Sequence, residues 1–309
     1  MLKTVFMGTP DFVMPALETL YENSELKLVV TGKDKKAGRG KKKLIQPEPK
    51  SFSIEKNIPY LQINSAKDEN LSIELNLLKP DLIIVFAFGF ILPENVFSVP
   101  GLGTINIHTS ILPKYRGASP IYQALLNMDK STGVSFQKIT QKLDSGDILF
   151  TKSVEISEND DYFSLNKSLS KLSAEALKEF LVLIEKNKLA LMPQDEKKAT
   201  YCKKITKNDA EFAWNMDKEK IMSMIKAFAK WPVAYTITGL GKLRIYKAIS
   251  RELEEKISPG TIVSADKNGF CVACNNGAIC ILEIQPENKR RMDYISFLNG
   301  HRLKIGEKL

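Results

Sequence analysis

Three polar residues in the first half of the chain have the types and the spacing needed for chemistry at a carbonyl carbon. Asn106 and His108 lie two positions apart in a short apolar run, so their side chains project from the same face of a predicted strand. Asp144 lies downstream in a tight-turn sequence, Leu143-Asp-Ser-Gly-Asp147. An amide donates hydrogen bonds, an imidazole changes its charge near neutral pH, and a carboxylate orients an imidazole or accepts a proton. Because no serine or cysteine is evidently activated, the set predicts direct acyl transfer to an amine through a tetrahedral intermediate.

A purely structural interpretation of these residues is equally open on the motif alone. His108 is one of only two histidines in the chain, but a histidine on an apolar strand can also be a hydrogen-bonded core residue. Asp144 can be no more than the first residue of an Asx turn. The second histidine, His301, has no assigned role. The choice depends on where the surrounding elements place the residues.

The elements around these residues predict a doubly wound α/β domain with a mostly parallel sheet. Strand-like apolar runs alternate with helical patterns, and residues 81–88 are almost continuously apolar, as in a sheet covered on both faces. The first turn, Gly8-Thr-Pro-Asp11, lacks the glycines of a dinucleotide fingerprint, which disfavours NAD, and Thr9 is expected to cap the first helix. Ligands of such sheets bind beyond the carboxyl ends of the strands, where His108 and Asp144 are expected.

The second half of the chain predicts a smaller β domain. A single helical pattern at 218–230 is followed by short strands at turn-separated intervals, which is typical of a small antiparallel, OB-like barrel. Polar residues dominate the segment that joins the two halves. We therefore expect a catalytic domain at 1–187, a linker at 188–205 and a barrel at 206–309.

The net charge of +9 is concentrated in two regions of this 309-residue chain. Residues 32–50 hold eight Lys or Arg and two acids, and residues 201–309 hold nineteen and twelve. The remainder has a net charge of −4. A single charge run usually marks a solvated face, whereas two separated basic regions around an acidic body favour a long polyanion held at two places.

The cysteines and the hydropathy pattern favour a reducing compartment and no membrane partner. Four cysteines are too few for a disulfide framework, so we expect small, buried core residues. Cys271-x-x-Cys274 has finger-like spacing, but an odd separation turns the two thiols to opposite faces of one strand, so no metal site is expected. The N-terminus lacks a signal-peptide pattern, and no apolar run approaches the roughly 18 to 20 residues of a membrane span. These features predict a cytoplasmic protein.

The motifs resemble those of the folate-dependent formyltransferases. The superfamily signature is matched by Asn106-Ile-His108, by Ser110-Ile-Leu-Pro-Lys-Tyr-Arg-Gly117 and by Leu143-Asp-Ser-Gly-Asp147. Further segments resemble motifs of the branch of the family that acts on tRNA. They are Met7-Gly-Thr-Pro-Asp-Phe12, Ala37-Gly-Arg-Gly40, Ala87-Phe-Gly-Phe-Ile-Leu-Pro93, Ala227-Phe-Ala-Lys-Trp-Pro232, Arg291-Met292 and Phe297-Leu-Asn-Gly300. The resemblance covers nearly the whole chain.

The resemblance implies formyl transfer from 10-formyltetrahydrofolate to the α-amino group of methionine on initiator tRNA, in translation initiation. Asn106 and His108 would stabilise the developing oxyanion, and Asp144 would hold His108 and assist removal of the ammonium proton. The implied folate contacts are Ser110, Ile111, Leu112, Pro113, Phe88, Gly89 and Leu92. The implied tRNA contacts in the basic loop are Arg39, Lys41, Lys42 and Lys43. The barrel would be a second tRNA contact, no metal is implied, and a monomer is expected.

Two departures from the family pattern lie outside the reaction centre. Ile111 replaces the usual leucine, and residues 32–36 replace the usual Gln-Pro-Asp before the basic loop. Loss of the proline should loosen the loop, while the added lysines should compensate through phosphate contacts. The details of tRNA discrimination are therefore less constrained than the chemistry.

Two other functions remain open. A sibling formyltransferase acting on a small amine, such as glycinamide ribonucleotide or an amino sugar nucleotide, would use the same three residues but gives no reason for two basic regions. A non-catalytic RNA-binding protein on the same scaffold accounts for the charge but not for Asn106, His108 and Asp144 together. Formyl transfer to a small amine alone, or tRNA binding without transfer, would select one of these alternatives.

Overall fold

The computed structural model describes residues 1–37, 43–266, 269–301 and 303–309 and separates into two compact units. The first unit comprises Met1–Pro120, Ser131–Ile156 and Asn166–Cys202. The second unit comprises Ile121–Lys130, Ser157–Leu165 and Lys203–Leu309. Within the described ranges no helix combines the length and the apolar character that a membrane span requires.

The first unit contains the predicted alternation of strands and helices. Its strands are β1 (Lys3–Gly8), β2 (Glu25–Gly32), β3 (Lys35–Ala37), β4 (Lys43–Ile45), β5 (Tyr60–Ile63), β6 (Leu82–Phe86), β7 (Thr104–His108), β8 (Arg116–Gly117), β9 (Ser131–Lys138), β10 (Ile148–Glu155) and β11 (Tyr201–Cys202). The helices that begin in it or extend into it are α1 (Met14–Asn23), α2 (Glu48–Glu55), α3 (Glu69–Leu78), α4 (Glu94–Phe97), α5 (Pro120–Leu126) and α6 (Tyr162–Glu185).

A seven-stranded sheet organises this unit in the order β10-β9-β7-β6-β1-β2-β5. The five strands from β5 to β7 are parallel, and β9 and β10 continue the sheet in antiparallel fashion. The predicted α/β fold with a mostly parallel sheet is confirmed. Strand β10 was not predicted; after two buried residues its side chains alternate only between partly buried and exposed.

Apolar side chains of alternate residues in the parallel strands form the core on one face of the sheet. Val5 and Met7 of β1 and Ile83 and Val85 of β6 pack in one cluster with Leu71 of α3. On β9, Phe136 stacks on Phe180 of α6 with ring centroids 4.9 Å apart. Each buried aliphatic or aromatic side chain contributes roughly 1.5 to 3 kcal/mol through removal of apolar surface from water. This packing fixes the ends of the strands that carry the polar residues.

Thr9 does not cap the first helix, so that prediction was wrong. A 3₁₀ turn at Asp11–Val13 has Pro10 at its N-cap, with no side-chain cap, and α1 begins after it. Thr9 Oγ1 instead accepts a hydrogen bond from the amide of Gly32 at 3.2 Å and lies 3.5 Å from the carbonyl oxygen of Phe88. The hydroxyl group therefore accepts from the end of β2 and donates to the segment that follows β6.

The segment predicted as a linker lies mostly within the first unit. Its β11 pairs in parallel with β8, and Met192 forms an antiparallel bridge with Ile148. The first unit extends to Cys202. We therefore propose that the boundary between the two domains lies near residue 203.

The second unit is built on an antiparallel sheet, as predicted for the C-terminal half. Its strands are β12 (Tyr235–Thr238), β13 (Gly241–Arg251), β14 (Ile262–Asp266), β15 (Gly269–Cys274), β16 (Gly277–Pro286) and β17 (Met292–Asp293), and its helices are α7 (Lys218–Ala227) and α8 (Tyr294–Gly300). The strands follow the order β12-β13-β16-β15-β14, and β17 pairs with β16. Phe228, Phe270 and Phe297 are fully buried in the core beneath this sheet.

Two of the four cysteines form a disulfide, which corrects the expectation of four unpaired core residues. Cys271 on β15 lies opposite Cys280 on β16, with their Cα atoms 3.9 Å apart, and the two sulfur atoms are bonded. Cys202 and Cys274 are free and buried. The pairing depends on the register of the β15–β16 hairpin, which the spacing of the cysteines along the chain does not specify.

Candidate active site

His108 lies at the carboxyl end of β7 with only 6% of its side chain exposed. Its ring atom Nε2 lies 2.8 Å from the backbone carbonyl oxygen of Tyr115. Because a carbonyl oxygen can only accept a hydrogen bond, Nε2 carries the proton of the neutral ring. The other nitrogen, Nδ1, then has the free lone pair, and it lies 3.8 Å from Oδ2 of Asp144.

Donors surround both oxygens of the Asp144 carboxylate. Oδ1 accepts hydrogen bonds from the side-chain amides of Asn106, at 3.3 Å, and Gln137, at 2.7 Å. Oδ2 accepts one from the backbone amide of Gly117 at 2.8 Å and is the atom that faces His108. Asn106 and Gln137 lie opposite each other on β7 and β9, so both amides reach the same oxygen. The structure therefore brings the three predicted catalytic residues together.

The turn that carries Asp144 is held in an uncommon backbone conformation. Asp144 has a φ of 48°, in the left-handed region that non-glycine residues enter at a cost of about 1 to 3 kcal/mol. Two residues later, a Cβ atom on Gly146 would lie 1.8 Å from the carbonyl oxygen of Lys138. Only glycine fits at position 146, because the turn packs directly against β9.

A second layer of side chains supports this turn, and sequence reasoning missed it. Gln194 donates through Nε2 to the carbonyl oxygens of Asp144, at 3.0 Å, and Gly146, at 2.7 Å. The Oε1 atom of Gln194 accepts a hydrogen bond from Nε of Arg116 at 2.9 Å. The segment predicted to be a linker therefore contacts the backbone of the turn that carries Asp144.

Arg116 is fully buried, and Glu196 balances its charge with N–O distances of 2.8 and 3.1 Å. The hydrogen bonds from this guanidinium lower the pKa of the Glu196 carboxyl to about 2, and the pairing raises the pKa of Arg116. Two parallel N–H···O bonds fix the orientation of the guanidinium as well as its charge. The sequence signal was weak, because Arg116 was one member of a longer motif and Glu196 lay in a polar segment.

A cleft of about 540 Å³ opens in front of these side chains in the first unit. Asn106, His108 and Asp144 line it together with Gln137. Its apolar lining includes Phe12, Phe88, Ile91, Leu92 and Leu143. Apolar walls with a few converging polar groups are typical of a small-molecule binding site. The cleft can hold an acyl donor with its carbonyl group near an amide donor, an imidazole and a carboxylate.

Comparison with known families identifies the family of this chain. A family model described as formyl transferase matches residues 2–181, and a model described as formyl transferase, C-terminal domain, matches residues 204–302. The chain belongs to the formyl transferase family. The second match begins at residue 204, just after the first structural unit ends at Cys202.

Relatives within the formyl transferase family resemble this chain over its full length. It is 42% identical over 313 aligned residues to a methionyl-tRNA formyltransferase of Dictyoglomus thermophilum, with 99% of each chain covered. It is 40% identical over 310 residues to a methionyl-tRNA formyltransferase of Methylococcus capsulatus, with 100% of this chain and 99% of the other covered. The same fold occurs in the solved structure of an N-formyltransferase from Helicobacter canadensis in complex with folinic acid and dTDP-3-aminofucose. That structure has a TM-score of 0.69 and 19% identity and covers 91% of this chain and 99% of its own.

The expected folate contacts of this formyl transferase family member fall into two groups. Phe88, Gly89 and Leu92 line the cleft. The residues from Ser110 to Pro113 are not among its lining residues. They form a turn with a cis peptide between Leu112 and Pro113, in which Ser110 Oγ donates to the carbonyl oxygen of Lys114 at 2.6 Å.

The turn from Ser110 to Pro113 is also hydrogen-bonded to the neighbouring strand, β9. The Ser135 hydroxyl donates to the carbonyl oxygen of Ser110 at 2.7 Å and accepts from the amide of Leu112 at 3.0 Å. Ser135 pairs with His108 across β7 and β9. The contacts seen here therefore make the turn a support for the strand ends, and direct folate contact by Ser110, Ile111, Leu112 and Pro113 remains a prediction.

The expected tRNA contacts of the basic loop lie largely beyond the described part of the chain. Arg39, Lys41 and Lys42 are outside the described residues. Lys43 begins β4, which pairs with β3 in an antiparallel ladder, so the described flanks of the loop form a hairpin. At the base of this hairpin, Lys50 Nζ donates to both carboxylate oxygens of Asp34 at 2.8 and 3.0 Å.

Proposed function

We propose that this chain transfers the formyl group of 10-formyltetrahydrofolate to the α-amino group of methionyl initiator tRNA. The observation that carries the proposal is the convergence of Asn106, His108 and Asp144 at the cleft, in a chain about 40% identical over its full length to methionyl-tRNA formyltransferases. The product is formylmethionyl-tRNA, which is used in translation initiation. We further propose that the enzyme acts as a monomer in the cytoplasm.

The transfer begins with attack of the amine nitrogen on the formyl carbon. The carbonyl oxygen then gains negative charge, and Asn106 is placed to stabilise it. A primary amide has two N–H donors, so one can donate to Asp144 Oδ1 while the other donates to the oxyanion. Collapse of the intermediate breaks the bond between the formyl carbon and N10 of the folate, and N10 takes up one proton to balance the proton that the attacking amine gives up.

Of the two candidate proton acceptors, His108 and Asp144, His108 is the better placed. Its Nε2 proton is engaged by the carbonyl oxygen of Tyr115, so the lone pair that can accept the ammonium proton is on Nδ1. Oδ2 of Asp144, 3.8 Å from Nδ1, stabilises the imidazolium ion that results. The geometry thus favours proton acceptance by His108 over a direct role of its Nε2 in stabilising the oxyanion.

The acceptor is assigned to a tRNA on charge and on family membership. Two basic regions, at 32–50 and 201–309, flank a body of net charge −4, and phosphate neutralisation by lysine and arginine supplies most of the affinity for a nucleic acid. Arg39, Lys41, Lys42 and Lys43 are the proposed contacts in the first region. A small amine as acceptor provides no use for either region.

One assay tests this proposal directly. The purified chain is supplied with 10-formyltetrahydrofolate and, in separate reactions, charged initiator tRNA, charged elongator tRNA, free methionine and an amino sugar nucleotide. We expect formylation of charged initiator tRNA at a kcat/KM well above that of the other acceptors. Formylation of the amino sugar nucleotide without formylation of methionyl-tRNA would overturn the assignment, as would tRNA binding without any transfer.

A further inference from the structure

We infer that Gln194 is a positioning residue for formyl transfer, acting through the Asp144 turn, and that residues 188–202 belong to the active site. The inference rests on the proposed function for its kinetic consequence. Its structural basis is independent of that function, because it concerns how one side chain holds a strained turn. Gln194 does not itself line the cleft; it contacts the backbone of Asp144 and the side chain of Gln137, which do.

The side-chain amide of Gln194 bridges the turn from one end to the other. Nε2 donates to the carbonyl oxygen of Asp144 at 3.0 Å and to that of Gly146 at 2.7 Å. The same atom lies 3.3 Å from Oε1 of Gln137, whose own Nε2 donates to Asp144 Oδ1 at 2.7 Å. Gln194 therefore acts on the backbone of the turn and on a neighbour of the Asp144 carboxylate at once.

Arg116 determines which way the Gln194 amide points. Its Nε–H donates to Gln194 Oε1, so the NH₂ group must face the turn. The guanidinium is fully buried and is itself oriented by Glu196 and by the hydroxyl of Tyr201 at 3.2 Å. Each member of this chain of contacts is fixed by the next, so the NH₂ group cannot rotate away without taking from the Nε–H of a buried guanidinium its Oε1 acceptor.

The turn requires such support because of its backbone conformation and its distances. Asp144 has a φ of 48°, which a non-glycine residue adopts only when surrounding contacts hold it there. Oδ2 is 3.8 Å from His108 Nδ1, so a small displacement of the turn decides whether the carboxylate can stabilise the imidazolium ion. A misplacement of about 1 Å at a reacting group can slow a reaction by about 100-fold.

The test is a double-mutant cycle between Gln194 and Asp144 in the full-length chain. Gln194→Met keeps the length of the side chain and removes both its donor and its acceptor. Gln194→Glu keeps an acceptor for Arg116 and removes the donors that hold the turn. We expect each to lower the single-turnover rate with methionyl-tRNA by about 10- to 100-fold, with little change in KM for the tRNA.

The cycle separates positioning from a general loss of structure. In Asp144→Asn the carboxylate charge is already absent, so adding Gln194→Met should cost much less than it does in the wild type. Gln123→Met is the matched control, because Gln123 also donates through Nε2, to Asn127 Oδ1 at 3.1 Å, and belongs to the other structural unit. Fully additive effects of the two substitutions, or an unchanged rate in Gln194→Met, would overturn the inference.

A second readout does not depend on catalysis. The chain has two histidines, so an NMR spectrum of the imidazole protons at one fixed pH resolves His108 with His301 as an internal reference. Gln194→Met should change the chemical shifts of the His108 ring, which faces the Asp144 carboxylate, and leave those of His301 unchanged. If the wild type formylates methionyl-tRNA but the variant changes neither the rate nor the His108 chemical shifts, the inference fails and the proposed function stands. If the wild type does not formylate methionyl-tRNA but the His108 chemical shifts respond, the proposed function fails and the positioning role stands.

Discussion

The charged side chains of the Asp144 turn and those of the described flanks of the basic segment at 32–50 are fixed in different ways. At the turn, side-chain and backbone donors fix both oxygens of one carboxylate, and a buried arginine orients the glutamine that holds the backbone. In the basic segment, Lys33 and Lys35 are exposed, and Lys50 is the cation that pairs with Asp34 at its base. Chemistry needs atoms placed to within a fraction of an ångström, whereas attraction of a polyanion needs charge in the right region. Substitutions in the turn should therefore lower the rate of the chemical step, whereas substitutions in the basic segment should lower the affinity for tRNA.

The largest expected effect is at the proposed catalytic side chains. Asn106→Ala and His108→Ala should each lower the single-turnover rate by about 100- to 1000-fold, because one removes an oxyanion donor and the other the proton acceptor. Thermal unfolding should show that the fold persists. Either variant with a near-normal single-turnover rate would remove that residue from the mechanism and weaken the contrast between the two regions.

A smaller effect is expected when the backbone of the turn is displaced. Gly146→Ala places a Cβ atom 1.8 Å from the carbonyl oxygen of Lys138, so the turn must move away from β9. We expect destabilisation by about 1 to 3 kcal/mol and a loss of rate at least as large as that of Gln194→Met. Gly239→Ala is the matched control, since nothing lies within 4 Å of a Cβ atom there. Equal stability and rate for the two variants would show that the turn tolerates displacement.

The basic segment should respond in affinity, with its chemical step intact. Neutralising Lys41, Lys42 and Lys43 to Gln should raise the KM for tRNA several-fold and reduce the slope of log affinity against log salt by about one for each phosphate that is no longer neutralised. The single-turnover rate at saturating tRNA should not change. The matched control neutralises three exposed lysines of α6, Lys167, Lys171 and Lys178. If the KM and the salt slope did not differ from those of this control, the segment would be a solvent-exposed surface that does not contact tRNA.

The smallest expected effect is on the stability of the fold at acid pH, through the ion pair between Arg116 and Glu196. The pKa of Glu196 is lowered to about 2 by its hydrogen bonds with Arg116, below its usual 4.5. Its ionised form therefore stabilises the fold above pH 4.5, and that contribution is lost as the pH falls through about 2. More than half of the Glu196 side chain is exposed, so solvent screens the effect. The difference in stability between wild type and Glu196→Gln should be constant above pH 5 and should shrink between pH 4.5 and 2; a difference that grows toward low pH would contradict this.

The sequence predicts relations between residues that are close along the chain, but not contacts between segments that are distant in sequence. Asn106 and His108 share a strand face, a relation that follows from local periodicity alone, and the parallel sheet follows from apolar runs of the same local kind. Gln137 and Gln194 could not be found in this way. Gln137 faces Asn106 only because β9 runs antiparallel beside β7, and Gln194 meets a turn fifty residues before it.

Two other errors have the same origin. The Cys271–Cys280 bond depends on hairpin register, and the use of the Thr9 hydroxyl depends on strands that are distant in sequence. Both require knowledge of which elements become neighbours. Charge, in contrast, could be read directly, since net charge of a segment does not depend on contacts.

The parallel pairing of β11 with β8 also determines where this chain can be cut or recombined. A chimera between family members that is joined at residue 187 would take Gln194, Glu196 and Tyr201 from one parent and Arg116 from the other. A junction after Cys202 keeps both strands, and with them the guanidinium and its partners, from a single parent. Exchange of acceptor specificity by swapping C-terminal halves should therefore succeed at the later junction and give slow enzymes at the earlier one.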